Sequence, residues 1–210
     1  MIKSIALLFV LFAIIYCHAQ IRVGVTGGFH TSNIASTSGV SSKAIELFDG
    51  GFLVDLKIPA SRFHLEGQAL YTSFGYKNSN ISAIDEEGNF IGNIGNEKIG
   101  YVQVPLLVLY PLGFQTIHIK LGAGPCVAFE TNEALKIEGG DAFRNTLVPI
   151  NTTGRTSTVV GGEIYGGLEF SRFFAAAHYQ RSFNNIYENS GINTKWEISS
   201  LGFSLGLFLK

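Results

Sequence analysis

Phe63-His64-Leu65-Glu66-Gly67-Gln68-Ala69-Leu70-Tyr71-Thr72 decides the fold class. Phe63, Leu65, Gly67, Ala69 and Tyr71 fall on one face of an extended chain, and His64, Glu66, Gln68, Leu70 and Thr72 on the other. Successive side chains of a strand point to opposite faces, so this alternation by two reads as a strand between an apolar and a polar environment. The same pattern recurs outward in both directions. Ile21, Val23, Val25 and Phe29 oppose Arg22, Thr26 and His30. Ile117, Ile119, Leu121 and Ala123 oppose His118, Lys120, Gly122 and Gly124. Leu201, Phe203, Leu205, Leu207 and Leu209 oppose Ser200, Gly202, Ser204 and Gly206. No helical period of any length follows residue 20.

Eight strands are expected, at about 20–32, 51–58, 62–76, 98–110, 116–130, 158–170, 173–183 and 196–209. The connections after the second, fourth and sixth are short: Pro59-Ala60-Ser61, Pro111 to Gln115, and Ser171-Arg172. Those after the first, third, fifth and seventh are long, about 33–50, 77–97, 131–157 and 184–195. In an up-and-down sheet this strict alternation puts every short turn at one end and every long loop at the other, the asymmetry of outer-membrane barrels.

Composition fits that reading. The 210 residues carry 15 Lys and Arg against 16 Asp and Glu, a net charge of −1. Charged residues make up 15 % of the chain, below the roughly 25 % usual in soluble domains, and mean hydropathy is +0.26. A disordered acidic chain is excluded, and no basic excess exists to neutralise nucleic-acid phosphates. The 25 glycines have no period of three, which excludes a collagen-like repeat.

Residues 1–19 read as a secretory signal, with Lys3, an apolar run from Ile5 to Tyr16, and Cys17-His18-Ala19 before Gln20. The run is shorter than the ~20 residues a spanning helix needs. An uncleaved anchor, or a lipoprotein acylated at Cys17, are the alternatives. Cleavage removes Cys17 and leaves Cys126 without a disulfide partner. Residues 20–210 then form one barrel domain. Asn80-Ile81-Ser82 and Asn151-Thr152-Thr153 match a glycosylation pattern too common to weigh.

A soluble barrel with an apolar interior also alternates. Three features favour the membrane. The polar face is rich in Gly, Ser and Thr, as the narrow lumen of eight strands requires. Aromatics gather near strand ends, Tyr71, Tyr76, Tyr101, Tyr179 and Trp196 toward the long loops and Phe63, Tyr110, Phe114, Phe170, Phe173 and Phe208 toward the short turns. Hydropathy is positive although the loops are polar. The fold class expected is all-β, an eight-stranded antiparallel up-and-down transmembrane β-barrel.

Leu65-Glu66-Gly67-Gln68-Ala69-Leu70-Tyr71-Thr72-Ser73-Phe74-Gly75-Tyr76 and Tyr101-Val102-Gln103-Val104-Pro105-Leu106-Leu107 resemble strands of the PorT-like outer-membrane β-barrel family of Bacteroidetes. Gly122-Ala123-Gly124-Pro125 and Tyr179-Gln180-Arg181-Ser182-Phe183-Asn184-Asn185-Ile186 are similar to its later strands. The chain departs from the aromatic ending of many outer-membrane proteins, since it closes on Phe208-Leu209-Lys210. The resemblance implies fold and location more than activity. The PorT protein is tied to gliding and type IX secretion, and no motif here marks that role.

His64, Glu66, His118, Lys120, Glu163, Glu169 and His178 share the lumen phase. A proton relay or metal site is one reading. Mutually paired charges that fill a narrow barrel are the favoured one. No two His show a zinc spacing. His30 and Ser32 lie two apart on one face, a spacing that lipid-processing barrels can carry, but such a pair would have to face lipid, His30 is in phase with Arg22 and Thr26, and no partnering acid is evident. Asp85-Glu86-Glu87 reads as a solvated loop before a calcium site. Cys126 reads as an inert buried thiol. Gly161-Gly162 and Gly166-Gly167 are small residues within a strand, and Pro105 marks an expected bulge. Neither a cofactor nor a catalytic residue is assigned. The expected function is a non-enzymatic structural or surface-interaction barrel, monomeric in outer-membrane lipid, without nucleic-acid partners. An accessory role with envelope proteins, as in secretion or gliding, is the alternative, and a lipid-processing enzyme the third reading.

Overall fold

A computed structural model describes residues 20–36, 43–77, 82–84, 90–113, 117–138, 147–148, 156–186 and 196–209. The strands are β1 (Ile21–Ser36), β2 (Ile45–Lys57), β3 (His64–Lys77), β4 (Ser82–Ile84), β5 (Phe90–Gly113), β6 (Ile117–Glu138), β7 (Leu147–Val148), β8 (Thr158–Phe170), β9 (Phe173–Ser182) and β10 (Trp196–Phe208). All pairings are antiparallel. The sheet order β5-β3-β2-β1-β10-β9-β8-β6 closes through a β5–β6 ladder into an eight-stranded barrel, with β4 and β7 appended to β5 and β6. All eight expected strands are present. Closure satisfies every strand edge within the ring, which lipid demands of any backbone that crosses it.

The faces follow the alternation. Along β8, Val160, Ile164, Leu168 and Phe170 point out, whereas Val159, Glu163, Tyr165 and Glu169 are buried inside. The outer surface forms an apolar band. On β9 it runs from Phe173 to Tyr179 and stops at the exposed Arg181; on β2 it begins at Phe48, after the exposed Glu46. From Phe48 the exposed apolar positions continue through Phe52 and Val54 to Ile58, just past the end of β2, a stretch of the length, ~9–11 residues, that a tilted strand needs to cross.

Some expectations are corrected. Tyr76, Tyr101 and Phe208 are not girdle residues; all three are buried inside the barrel. Each lies near a strand end but on the inward phase, and the phase decides the face. Tyr71, Tyr179, Phe63, Phe170 and Phe173 are exposed as expected. The side chains of Phe114 and Trp196 lie outside the described residues. The loop expected at 33–50 is largely strand, since β1 continues to Ser36 and β2 begins at Ile45. The loops expected at 77–97 and 131–157 likewise contain β4, the start of β5, the end of β6 and β7.

No bulge forms at Pro105. The β5–β6 register is the same at Pro105↔Cys126 and at Val108↔Ala123, and its irregularities fall at Ile94/Asn96 and Gly100/Tyr101 instead. The β3–β5 pairing simply lapses between Gly67↔Leu106 and Leu70↔Gln103 and then resumes in register. The missing N–H of Pro105 removes one ladder donor without adding a residue, so nothing forces a shift.

Candidate functional site

The lumen is packed in three layers. At the short-turn end Arg22 bonds to Asp55 and to Glu169, with Nη2 3.0 Å from Glu169 Oε2. Lys120 Nζ lies 2.9 Å from Asp55 Oδ2 and 2.8 Å from Glu169 Oε2, and His64 Nδ1 lies 2.8 Å from Asp55 Oδ1. The Arg22 guanidinium stacks 4.0 Å from the centre of the Phe208 ring. Five strands, β1, β2, β3, β6 and β8, supply the charged groups and β10 supplies Phe208, and the register of their inward positions brings them together. Mutual pairing offsets the large cost of desolvating each charge.

The middle layer is polar. Glu66 accepts from Gln68 Nε2 at 2.7 Å, and Gln103 Nε2 donates to Gln180 Oε1 at 3.1 Å. Gln180 Nε2 lies 3.1 Å from Cys126 Sγ, which is buried. His30 Nδ1 lies 3.0 Å from Asp49 Oδ2, and His30 Nε2 lies 2.8 Å from the Ser73 carbonyl oxygen. His178 and Glu163 line the same small cavity as His30 and Asp49. That cavity has room for about one water. Above it, toward the long loops, Ile34, Phe74, Tyr76, Ile99, Tyr101, Ile186 and Ile198 form an apolar plug.

The sequence-selected residues divide accordingly. Glu169, Lys120 and His64 are brought together in one paired cluster. Glu66 and Glu163 are buried among amides rather than paired with cations. His118 is on the expected phase but exposed at the short-turn mouth. His30 does have an acid, Asp49, which went unseen because 33–50 reads as loop. The pair needed to face lipid, yet His30 and Ser32 are buried in the lumen, and Ser32 Oγ accepts from Gly75 N at 3.1 Å. Asp85-Glu86-Glu87 lies outside the described residues, and among those described no three potential metal ligands converge. Sequence reading also missed Asp55, the fully buried hub of the cluster. Its signal is a carboxylate at an inward position within the apolar stretch Phe52-Leu53-Val54-Asp55-Leu56.

Residues 18–188 match the family described as outer membrane protein beta-barrel domain. No curated protein matches the chain. Among solved structures, it is similar to Neisserial surface protein A, at 13 % identity, with 90 % of this chain and 97 % of that chain covered and a TM-score of 0.47. It is also similar to Ail, the attachment invasion locus protein of Yersinia pestis, in complex with the heparin analogue sucrose octasulfate, at 10 % identity, 90 % and 99 % coverage and a TM-score of 0.45. The N-terminal β-barrel domain of Pseudomonas aeruginosa OprF gives 12 % identity, 90 % and 100 % coverage and a TM-score of 0.33.

Proposed function

This chain belongs to the outer membrane protein beta-barrel domain family, and on that premise we propose that it is a non-enzymatic, non-conducting barrel of the cell outer membrane that acts through surface contacts at its long-loop end. The observation that carries the reading is the extension of β5 and β6. Their ladder continues to Asn93↔Glu138, whereas β8 leaves β6 at Phe129↔Thr158 and β3 leaves β5 at Lys77↔Asn96. With β4 and β7 they make a four-stranded sheet that continues past the ring, and β4 and β7 end its strand order. Terminal strands offer backbone donors and acceptors to another extended chain. The packed lumen supports the rest of the reading, because three filled layers leave no water path. A monomer fits, since ring closure leaves no strand edge in lipid. Kinship with the PorT-like barrels of Bacteroidetes belongs to the same proposal and rests on the segments quoted above, Tyr101–Leu107 foremost.

The test is a chain lacking residues 131–157, joined by a short turn and expressed in the outer membrane. A photo-crosslinker at residue 143 of the full chain on intact cells is expected to give discrete adducts. The shortened chain is expected to keep a heat-resistant barrel. An absence of adducts on intact cells, or ion conductance by the purified full chain in planar bilayers, would contradict the reading.

A further inference from the structure

The short-turn mouth is a concavity of about 550 Å³, within the roughly 300–1,000 Å³ of small-molecule sites. Arg22, Lys57, Arg62, His64, His118 and Lys120 line it against a single carboxylate, Glu169. The charges do not cancel. Asp55 and Glu169 are already taken by Arg22, Lys120 and His64 on the floor of the mouth. Among the described residues no carboxylate lies within ion-pair distance of Lys57, Arg62 or His118. These three come from the end of β2, the β2–β3 turn and the start of β6, and the sheet order brings them around one opening. Evolution toward mere solubility scatters charges outward; here they converge on a concave wall, where low-dielectric surroundings focus their field.

We infer that this mouth binds a phosphate group, carried either by a phospholipid headgroup of the adjoining leaflet or by a soluble periplasmic molecule. Convergent cations suit a phosphate better than a carboxylate, because several donors can share its oxygens and the Arg62 guanidinium can engage two of them. The level of the mouth also fits. Phe63 directly follows Arg62, and its ring lies 5.4 Å from that of Tyr110, which precedes Pro111 of the lining. Phe170 and Phe173 are exposed on the same rim. Exposed aromatics at a barrel rim lie at headgroup depth, and short turns face the periplasm. The site is blind, since the ion-pair cluster and Phe208 close its floor. It is therefore a binding pocket and not the entrance to a channel.

The full chain, folded in zwitterionic detergent, is titrated with inorganic phosphate by calorimetry. In parallel it is placed in phosphatidylcholine vesicles with and without phosphatidylglycerol, and retained lipid is read by native mass spectrometry. Saturable binding of at least one probe is expected, weakened at least tenfold in Lys57→Glu/Arg62→Glu and unchanged in Arg181→Glu at the opposite end. Binding of phosphate alone identifies a soluble source, and selective retention of phosphatidylglycerol a headgroup. Both replaced side chains are exposed and outside the ion-pair cluster. If the reversed variant does not fold, Lys57→Gln/Arg62→Gln is measured in its place. Failure of the folded wild-type chain to bind either probe, or equal binding by the variant, overturns the inference.

Discussion

Lys120 Nζ reaches across the lumen to within 2.9 Å of Asp55 Oδ2, joining β6 to β2, which are not neighbours in the barrel. Asp55 also accepts from Arg22 and His64, so one carboxylate ties three strands to its own. Asp55→Ala leaves the buried Lys120 and the half-buried Arg22 facing each other with only Glu169 between them. The expected cost is roughly 3–5 kcal/mol, the usual penalty for stranding a buried charge. Asp55→Ala/Lys120→Met should lose less than the sum of the two single changes. Urea unfolding in micelles measures both.

Ile164 and Glu163 are adjacent on β8, Ile164 facing outward and Glu163 into the packed lumen. Ile164 is 63 % exposed, midway along an outward apolar band. If lipid covers that band, Ile164→Arg costs about 2–4 kcal/mol. A water-facing position would tolerate it within about 0.5 kcal/mol. Unfolding of Ile164→Arg in phospholipid vesicles separates the two magnitudes.

Two glycines allow the closest strand approaches. A Cβ on Gly124 would lie 1.9 Å from the Leu106 carbonyl oxygen, and one on Gly51 2.0 Å from that of Ala69. These contacts are with backbone, which cannot yield without moving a strand. Gly51→Val and Gly124→Val are each expected to reduce the fraction of chain that folds to a heat-resistant band.

The short turns carry the opposite kind of strain. Ala60 has φ 58° and Ser171 φ 57°, in the left-handed region. That conformation costs an L-residue about 1–2 kcal/mol, more than the ~0.5–1 kcal/mol of entropy that glycine forfeits. Ala60→Gly and Ser171→Gly are expected to raise stability slightly, each by about 0.5 kcal/mol on these figures. The urea midpoint is the readout.

The barrel was legible because period-two alternation reports both the strand and its two environments. All inward residues named for β3 and β10 face inward. The corrections have separate sources. Distance from a strand end suggests a girdle for Tyr76, Tyr101 and Phe208, but their phase puts them with Phe74 and Phe174 inside. Hydropathy ends a strand where polar residues begin, which leaves Asp49, the partner of His30, in an expected loop although it lies on β2. A barrel rim emerging from lipid keeps its ladder while losing its apolar face, so hydropathy marks the membrane boundary and not the strand boundary. The pairing of Asp55 with Lys120 depends on barrel curvature, which no local pattern records.

The chain closes into a barrel whose apolar exterior faces lipid. Gel migration of the chain from isolated outer membranes, before and after boiling in detergent, tests it most directly. A closed barrel resists unfolding until heated, so a band in that fraction is expected to change mobility on boiling. A chain recovered in the soluble fraction, with one mobility under both conditions, would contradict it.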